Sequence, residues 1–381
     1  MNESPIQRNN DSTIKRSVMF VAGEPSGDQN AAGVCDALRR LSPDLRIWGA
    51  AGPKLHAAGC ERVVDLTKLA VVGLIEVARN YFKFKRIFDQ LLAEVEKRKP
   101  TAVVLTDFAG FNLRFAEALR ARGYRGKIIY FVSPQVWASR PERAEALAQC
   151  CDLMLCLFPF EQDWYAQRTP SFRVVCVGHP LVERLSPLQL KTVRREKLIA
   201  LLPGSRKNEV SKLWHPLVQA AEIIRKVEPQ VQFVAAAASA ELARELKAPT
   251  IRVVVGDTAK VLQEAQVAIV ASGTATVECA FFGCPMVVVY RVAWPTYFAG
   301  RALIQVPHIA MPNILAGRQI VPELVQDKAS PQAIASATLE LLQQSDKRNQ
   351  QRLDLAEVVK KLGSSGASER AAKAILSELS S

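Results

Sequence analysis

Short apolar runs alternate with longer amphipathic segments along most of the chain. The runs of the first half are SVMFVAG, TAVVLTDF, KIIYFVS, LMLCLF and FRVVCVG, and segments such as NAAGVCDALRRL and NLRFAEALRARG lie between them. The apolar residues of these segments recur at i, i+3 and i+4, so we predict strands for the runs and helices between them. Because the runs are continuously apolar, both faces of the sheet should be covered, which indicates a parallel α/β sheet.

The pattern occurs twice. A polar stretch, VERLSPLQLKTVRREK, interrupts it, and it restarts with LIALLPGS, VQFVAAAA, IRVVVG, VAIVASG and PMVVVYR. The chain has 381 residues, which is more than one core usually covers. We therefore predict two α/β domains in tandem, with ligands bound in the cleft at the carboxyl ends of their strands.

Charge and cysteine content narrow the classes of function. The formal net charge of +13 favours anionic partners: nucleic acid, a membrane surface or phosphorylated substrates. Nucleic acid is the least favoured, because the charge is spread along the chain and no zinc-finger spacing occurs. The eight cysteines form no CxxC pair, so we expect buried thiols in a reducing compartment. The polar N-terminus and the short apolar runs predict a cytoplasmic protein without a signal peptide or membrane-spanning helix.

The first apolar run ends in a loop of unusual composition. The loop combines glycines, acids and a serine: Gly23, Glu24, Ser26, Gly27 and Asp28. Its acids would repel a phosphate, so it suits a hydroxyl-rich group. Simple turn and capping chemistry, with Ser26 or Asp28 as the helix N-cap, is the alternative.

A second strand exit carries Asp107, in the motif VLTDFAGFN. A carboxylate at the end of a buried strand is costly unless it is paired or used in chemistry. It would face the cleft, as a general base should. The alternative is helix capping, which Asn112 could also perform. His179, in VGHPL, is a lone histidine, which is more often structural than catalytic.

Two loops of the second half suit a phosphate. Gly204, Ser205 and Arg206 follow one predicted strand and begin a helix. Backbone N–H groups and a guanidinium at a helix start bind anions. A second loop of this kind contains Ser272, Gly273, Thr274 and, on the following helix, Glu278. Together the loops indicate a nucleotide diphosphate site, and neither is a Walker A motif. Asn313 and Gln326 belong to a later polar cluster that turn geometry does not explain.

Eight motifs in order resemble those of a known family. They are AGEPSGD, DFAGFN, SPQVWASR, FPFE, VGHPL, LLPGSRKNEV, ASGTATVE and PNILAGRQIVPELVQ. Together they closely resemble the lipid-A-disaccharide synthases, which are membrane-associated glycosyltransferases of Gram-negative bacteria. The resemblance spans about Val18 to Gln326.

This resemblance implies a GT-B architecture, in which two Rossmann-like domains face a cleft and C-terminal helices cross back. It implies an acceptor- and membrane-facing domain at residues 1–190, completed by residues 346–381, and a UDP-sugar domain at 191–345. The implied reaction transfers 2,3-diacylglucosamine from its UDP derivative to the 6-hydroxyl of 2,3-diacylglucosamine 1-phosphate. Inversion at the anomeric carbon yields a β-1,6-linked disaccharide and UDP, and no metal or other cofactor is expected.

The resemblance also suggests roles for the candidate residues. Asp107 is the expected base. The expected acceptor contacts are Gly23, Glu24, Ser26, Gly27, Asp28 and Asn112. The expected donor contacts are Gly204, Ser205, Arg206, Ser272, Gly273, Thr274, Glu278, Asn313 and Gln326.

The stretch LAVVGLIEVARNYFKFKRIF suggests a membrane contact. It places apolar side chains next to cations: Val71, Val72, Leu74, Ile75, Phe82 and Phe84 beside Lys83, Lys85 and Arg86. Such a patch is typical of a peripheral membrane surface. An ordinary amphipathic helix packed on the sheet is the alternative. We expect acylated substrates, association with the cytoplasmic face of the inner membrane and no nucleic-acid partner. The resemblance also allows a homodimer.

Two other functions fit the same features. The first is a UDP-N-acetylglucosamine 2-epimerase-like enzyme of GT-B fold, which would share the donor loops but lack a lipid acceptor surface. The second is a non-catalytic protein that binds a nucleotide sugar or a membrane.

Overall fold

Two parallel sheets form the framework of the protein. The computed structural model describes residues 16–70, 81–190 and 194–380. Over these ranges, a seven-stranded sheet is followed along the chain by a six-stranded one, and all strand pairs in both are parallel. The prediction of two Rossmann-like α/β domains is confirmed.

The first sheet has the strand order β3-β2-β1-β4-β5-β6-β7. Its strands are β1 (Ser17–Ala22), β2 (Arg46–Ala50), β3 (Glu61–Val64), β4 (Ala102–Thr106), β5 (Lys127–Phe131), β6 (Leu153–Cys156) and β7 (Val174–Cys176). The helices associated with it are α1 (Pro25–Leu41), α2 (Pro53–Ala57), α3 (Thr67–Ala70), α4 (Tyr81–Arg98), α5 (Ala109–Ala121), α6 (Arg143–Cys150), α7 (Pro159–Arg168) and α8 (Pro180–Leu185).

The second sheet repeats the same winding, in the order β10-β9-β8-β11-β12-β13. Its strands are β8 (Leu198–Leu202), β9 (Gln232–Ala237), β10 (Arg252–Val255), β11 (Val267–Ala271), β12 (Met286–Tyr290) and β13 (Glu323–Val325). The remaining helices are α9 (Lys207–Val227), α10 (Ala240–Glu245), α11 (Thr258–Glu264), α12 (Thr274–Phe281), α13 (Trp294–Leu303), α14 (Met311–Ala316), α15 (Pro331–Gln343), α16 (Ser345–Lys360) and α17 (Ala367–Ser380).

The strand register brings the chemically interesting loops together. Strand β1 pairs with β4 up to Ala22 and Thr106, and β4 pairs with β5 up to Thr106 and Phe131. The loops after these three strands therefore leave the same edge of the sheet. In the second sheet the order reverses between β8 and β11, which is where ligands bind in open α/β sheets.

The C-terminal helices divide between the two domains. Helix α16 packs on α12 and α14, which belong to the second domain. Helix α17 packs on α1 of the first domain, and its Glu378 pairs with Lys127 of β5 at 3.4 Å. We predicted that residues 346–381 complete the first domain. Within this segment, α17 does so, whereas α16 packs on the second domain. The chain crosses back after α16.

Among residues 16–70, 81–190 and 194–380, no helix is both long enough and apolar enough to span a membrane.

The packing of α17 on α1 predicts a specific loss of stability. Ile375 of α17 is fully buried, in the same apolar cluster as Val34 and Leu38 of α1. We expect Ile375→Ala to lower the free energy of unfolding of the first domain by about 2–5 kcal/mol, because truncation leaves a cavity. Urea titration followed by fluorescence of the buried Trp48 would measure this. Ser377→Ala, exposed on the same helix, should change it by less than about 0.5 kcal/mol.

Candidate active site

Asp107 lies directly after β4, and its conformation is unusual. Its φ is +53°, and that of Phe108 is +48°. The carboxylate accepts hydrogen bonds from the Ser26 hydroxyl at 3.2 Å and from the Phe108 amide at 3.0 Å. The Asp107 carbonyl accepts from the Tyr130 hydroxyl and the Asn112 amide, both at 2.7 Å. Such contacts hold a conformation that is otherwise costly, which is typical of a functional position.

Two carboxyl groups at this edge of the sheet have raised pKa values. Burial raises the pKa of Asp107, while the Phe108 amide, the Ser26 hydroxyl and the Arg206 charge act in the opposite direction. Burial also raises the pKa of Glu24, and the nearby Asp107 adds to this shift. A base with a raised pKa is better matched to taking a proton near neutral pH.

The second domain contributes a cation to the same place. Arg206, which precedes α9, lies 3.0 Å from the Glu24 carboxylate, and the two residues are 182 positions apart in the sequence. Arg206 also lies 3.7 Å from Glu209. The guanidinium is half exposed, so its charge faces the gap between the domains rather than either core.

The amides of the first predicted phosphate loop are already occupied. The Ser205 and Arg206 N–H groups donate to the Glu209 carboxylate at 3.0 and 3.3 Å. Gly204 has a φ of +120°, and a Cβ there would lie 2.6 Å from the same carboxylate. These amides therefore form a helix cap in this conformation, and the group left to meet an anion is the Arg206 side chain.

The second predicted loop is more open. Gly273 and Thr274 are exposed at the start of α12, and nothing lies within 4 Å of where a Gly273 Cβ would be. The Ser272 hydroxyl donates to the Ile309 carbonyl at 3.1 Å. Further along α12, Glu278 lies 3.3 Å from Arg184 of α8. The start of α12 therefore has the accessible N–H groups that an anion requires.

Some residues of the predicted acceptor loop face the gap between the domains, and the others pack in the framework around it. Ser26 and Glu24 contact Asp107 and Arg206, as described. Gly23 has a packing role, because a Cβ there would lie 2.1 Å from the Phe108 ring; the Gly27 position faces Asp107. Asp28 is buried, and its oxygens accept from the Lys54 and Leu55 amides at 2.8 and 3.2 Å. Asp28 caps α2 and does not face the gap.

Three predicted contact residues with side-chain amides are buried in the framework. Asn112 anchors the Asp107 loop through the carbonyls of Thr106 and Asp107. Asn313 accepts from the Ile320 and Val321 amides and donates to Val321 and Glu323. Gln326 pairs with both backbone groups of Val292. In this conformation the polar atoms of these side chains are hydrogen-bonded within the framework or covered, and their roles as ligand contacts stay predictions.

The predicted membrane stretch is described in part. Val71, Val72, Leu74 and Ile75 lie outside the described residues. On α4, Phe82 is 81% exposed, and Lys83, Lys85 and Arg86 are exposed beside it. Phe84 is half-buried, and its ring centroid lies 6.3 Å from that of Phe108. One face of α4 thus contacts the Asp107 loop, while the other presents cations and an aromatic ring.

Sequence reasoning missed two residues that shape this site. Tyr130 lies inside an apolar strand, where nothing in its local sequence distinguishes it from a core residue. Its hydroxyl nevertheless bonds the Asp107 carbonyl. Arg184 is in the polar stretch that separates the two halves of the pattern, and it pairs with Glu278 across the domain junction.

His179 is structural. It is buried at the start of α8, and its Nδ1 accepts from the Leu181 amide at 3.0 Å. Burial lowers the pKa of His179 to about 4, and the Arg184 charge acts in the same direction. The neutral ring is thus the form that caps this helix, since protonation would remove the acceptor.

Comparisons with known proteins agree with this architecture. Residues 18–377 match the family model described as lipid-A-disaccharide synthetase. The lipid-A-disaccharide synthase of Geobacter metallireducens is 36% identical over 376 residues, covering 95% of this chain and 97% of that protein. The enzyme of the same name from an Anaeromyxobacter species is 38% identical over 373 residues, covering 94% and 96%.

Solved structures show the same fold at low identity. An S. aureus MnaA structure with UDP has a TM-score of 0.68 at 14% identity, covering 96% of this chain and 97% of that one. The calicheamicin glycosyltransferase CalG4 has a TM-score of 0.64 at 18% identity, covering 96% and 98%. These likenesses confirm the GT-B fold.

The buried histidine predicts a pH-dependent stability. Because the folded pKa of about 4 lies below the unfolded value of 6.5, the unfolded state binds more protons between them. Stability is therefore full above the unfolded pKa and is lost as pH falls toward 4. By about pH 5 the loss should be about 2 kcal/mol. His179→Asn, which retains an acceptor for the cap, should flatten this slope in urea titrations. His215→Asn, at an exposed position, should leave it unchanged.

Proposed function

This chain belongs to the lipid-A-disaccharide synthase family, and we propose that it moves 2,3-diacylglucosamine from its UDP derivative to the 6-hydroxyl of 2,3-diacylglucosamine 1-phosphate. The observation that carries the proposal is the juxtaposition of Asp107 and Ser26 of the first domain with Arg206 of the second. A base on one domain and a cation on the other match a transfer between two bound sugars.

Asp107 acts as the general base. Its carboxylate takes the proton of the acceptor 6-hydroxyl as that oxygen bonds to the anomeric carbon of the donor. The bond from this carbon to the UDP oxygen breaks, and UDP leaves with the electron pair. Attack on the face opposite to UDP inverts the anomeric centre. Ser26 and the Phe108 amide hold the carboxylate in place for this step.

The positive charge for the leaving group comes from Arg206 and the start of α12. Gly273 and Thr274 offer exposed backbone at a helix N-terminus, and Arg206 offers a half-exposed guanidinium. We assign the ribose hydroxyls to Glu278, which Arg184 orients. Since these groups supply the charge, we expect the transfer to need no metal ion or other cofactor.

We also propose that the protein acts at the cytoplasmic face of the inner membrane, where acylated substrates reside. Support comes from the exposed Phe82 with Lys83, Lys85 and Arg86 on α4, next to the aromatic contact between Phe84 and Phe108. An apolar ring among cations is the composition of a peripheral membrane contact. Formation of a homodimer stays a prediction.

Product analysis tests the proposed reaction. Purified protein would be mixed with UDP-2,3-diacylglucosamine and 2,3-diacylglucosamine 1-phosphate in detergent, and the products identified by mass spectrometry and NMR. We expect a β-1,6-linked disaccharide monophosphate and an equal amount of UDP. Epimerised UDP-sugar without disaccharide would instead support the epimerase alternative, and unchanged substrates would support a binding protein.

Removing the base should abolish most activity. We expect Asp107→Asn to lower kcat by about 10²- to 10⁴-fold with little change in UDP affinity, because the amide cannot take the proton. Steady-state kinetics and calorimetric titration with UDP measure the two quantities. Asp36→Asn, exposed on α1, is the matched control and should be unaffected. Retained activity in Asp107→Asn would refute the assigned role.

Replacing Arg206 should affect both the stabilisation of the donor diphosphate and the pKa of Asp107. We expect Arg206→Gln to lower kcat/KM by about 10- to 100-fold through the lost charge on the diphosphate. Arg206 also lowers the pKa of Asp107, so the acid limb of the pH–rate profile should move to higher pH. Arg244→Gln, exposed on α10, should change neither. An unmoved acid limb would contradict the coupling between Arg206 and Asp107.

A further inference from the structure

Helix α13 (Trp294–Leu303) of the second domain carries an exposed apolar surface that the proposed function does not use. Trp294 is 45% exposed and Phe298 is 63% exposed, and their rings stack with centroids 5.5 Å apart. Leu303 and Ile304 at the end of the helix are also exposed. We call the stacked pair, Trp294 and Phe298, the α13 patch, because Leu303 lies on the opposite side of the helix. Large apolar side chains exposed together mark an interaction surface more often than scattered ones do.

Cations border the α13 patch. Arg291 lies in the loop that leads into α13, three residues before Trp294, and Arg301 lies one turn after Phe298 on the helix. Lys212 lines a hollow together with Arg291 and Trp294. No acidic residue occurs in the sequence between Glu278 and Glu323, so α13 and its flanking loops carry positive charge alone. Of the nearby acids, Glu323 is bound to the Ile309 and Ala310 amides and Asp327 lines the hollow.

The C-terminal end of helix α13 contacts the first domain. Gln305 follows Ile304, and its backbone N–H donates to the Ala138 carbonyl at 2.8 Å. Ile304 itself forms an antiparallel bridge with Ser139. Both partners belong to the loop that follows β5, at the same sheet edge as Asp107. Helix α13 therefore ends where the two domains meet.

We infer that the α13 patch is a second membrane-contact surface, which rests on the headgroups and upper acyl chains of an anionic phospholipid bilayer. Stacked aromatic rings flanked by arginines are the composition of an interfacial anchor. The alternative occupant, the same patch of a second copy of the chain, is disfavoured because a symmetric contact would bring Arg291 and Arg301 of both copies together. This surface belongs to the donor domain and is separate from α4 of the first domain.

The inference rests on the proposed function in one respect: an enzyme with acylated substrates must meet a membrane. Contacts from both domains would keep the donor and acceptor halves of the enzyme at the membrane that holds its substrates. The vesicle-binding experiment that tests the inference contains no sugar substrate. Its failure is therefore distinct from a failure of the proposed reaction, which is assayed in detergent.

Trp294 supplies the probe for the test. All five tryptophans lie in the described ranges, and Trp294 is the exposed one; Trp48, Trp137 and Trp214 are buried and Trp164 is partly buried. Full-length protein would be mixed with vesicles of phosphatidylethanolamine and phosphatidylglycerol, with and without bromine on the acyl chains. We expect brominated vesicles to quench the fluorescence, and Trp294→Phe to bind the vesicles without this quenching.

A second variant tests the contribution of the patch to affinity. We expect Phe298→Ser to weaken vesicle binding by about tenfold, measured by co-sedimentation, because its ring enters the interface. Leu353→Ser is the matched control, since Leu353 on α16 is 64% exposed and lies outside the patch. Phe298→Ser should retain disaccharide formation in detergent, which shows that it folds.

Several outcomes would overturn the inference. Vesicle binding without quenching of Trp294 would mean that the membrane is met elsewhere, for example through α4. An equal loss of binding in Phe298→Ser and Leu353→Ser would show a non-specific effect. Failure of the unmodified protein to bind vesicles would show that the α13 patch is not a membrane-contact surface.

Discussion

The position of the Asp107 carboxylate is the constraint on which the rest of the site depends. A charged group at the end of a buried strand is unfavourable unless neighbouring donors stabilise it. Ser26 and the Phe108 amide supply those donors, and Tyr130 and Asn112 fix the backbone that presents the group. The left-handed backbone at Asp107 and Phe108 turns the chain sharply out of the sheet. The same turn brings the Phe108 ring against Gly23 and toward Phe84.

Arg206 connects this constraint to the second domain. In this conformation it pairs with Glu24 and lies near Glu209, so two carboxylates occupy the places where a diphosphate would be favourable. A donor substrate would compete with these carboxylates for the guanidinium. The ion pair is partly exposed, so its own contribution to stability is small. The two domains can therefore separate or rearrange at this point at low cost.

The candidate residues differ in how they use their polar atoms. Glu24, Ser26 and Thr274 keep exposed or half-exposed side chains at the gap. Asp28 and Asn313 were also predicted to contact a ligand, yet their side chains accept hydrogen bonds from backbone groups of neighbouring loops. Glu24 and Asp28 follow the same strand and stand beside the same glycines, so local pattern does not separate the two kinds of residue. Only burial and partners distinguish a group that meets a ligand from one that shapes the loop.

Periodicity alone determined the class of the fold, because continuous apolar runs and amphipathic segments report directly which faces are covered. It located β1 and β4 to β12, whereas β2, β3 and β13 were not predicted. Eight motifs in order determined the family. The tertiary structure decided what depends on distant parts of the chain: the return of α17 to α1, the pairing of Arg206 with Glu24, and the capping of α2 by Asp28. The physical reason is that periodicity records how each segment meets water, whereas these contacts join residues far apart in sequence and depend on how the segments pack.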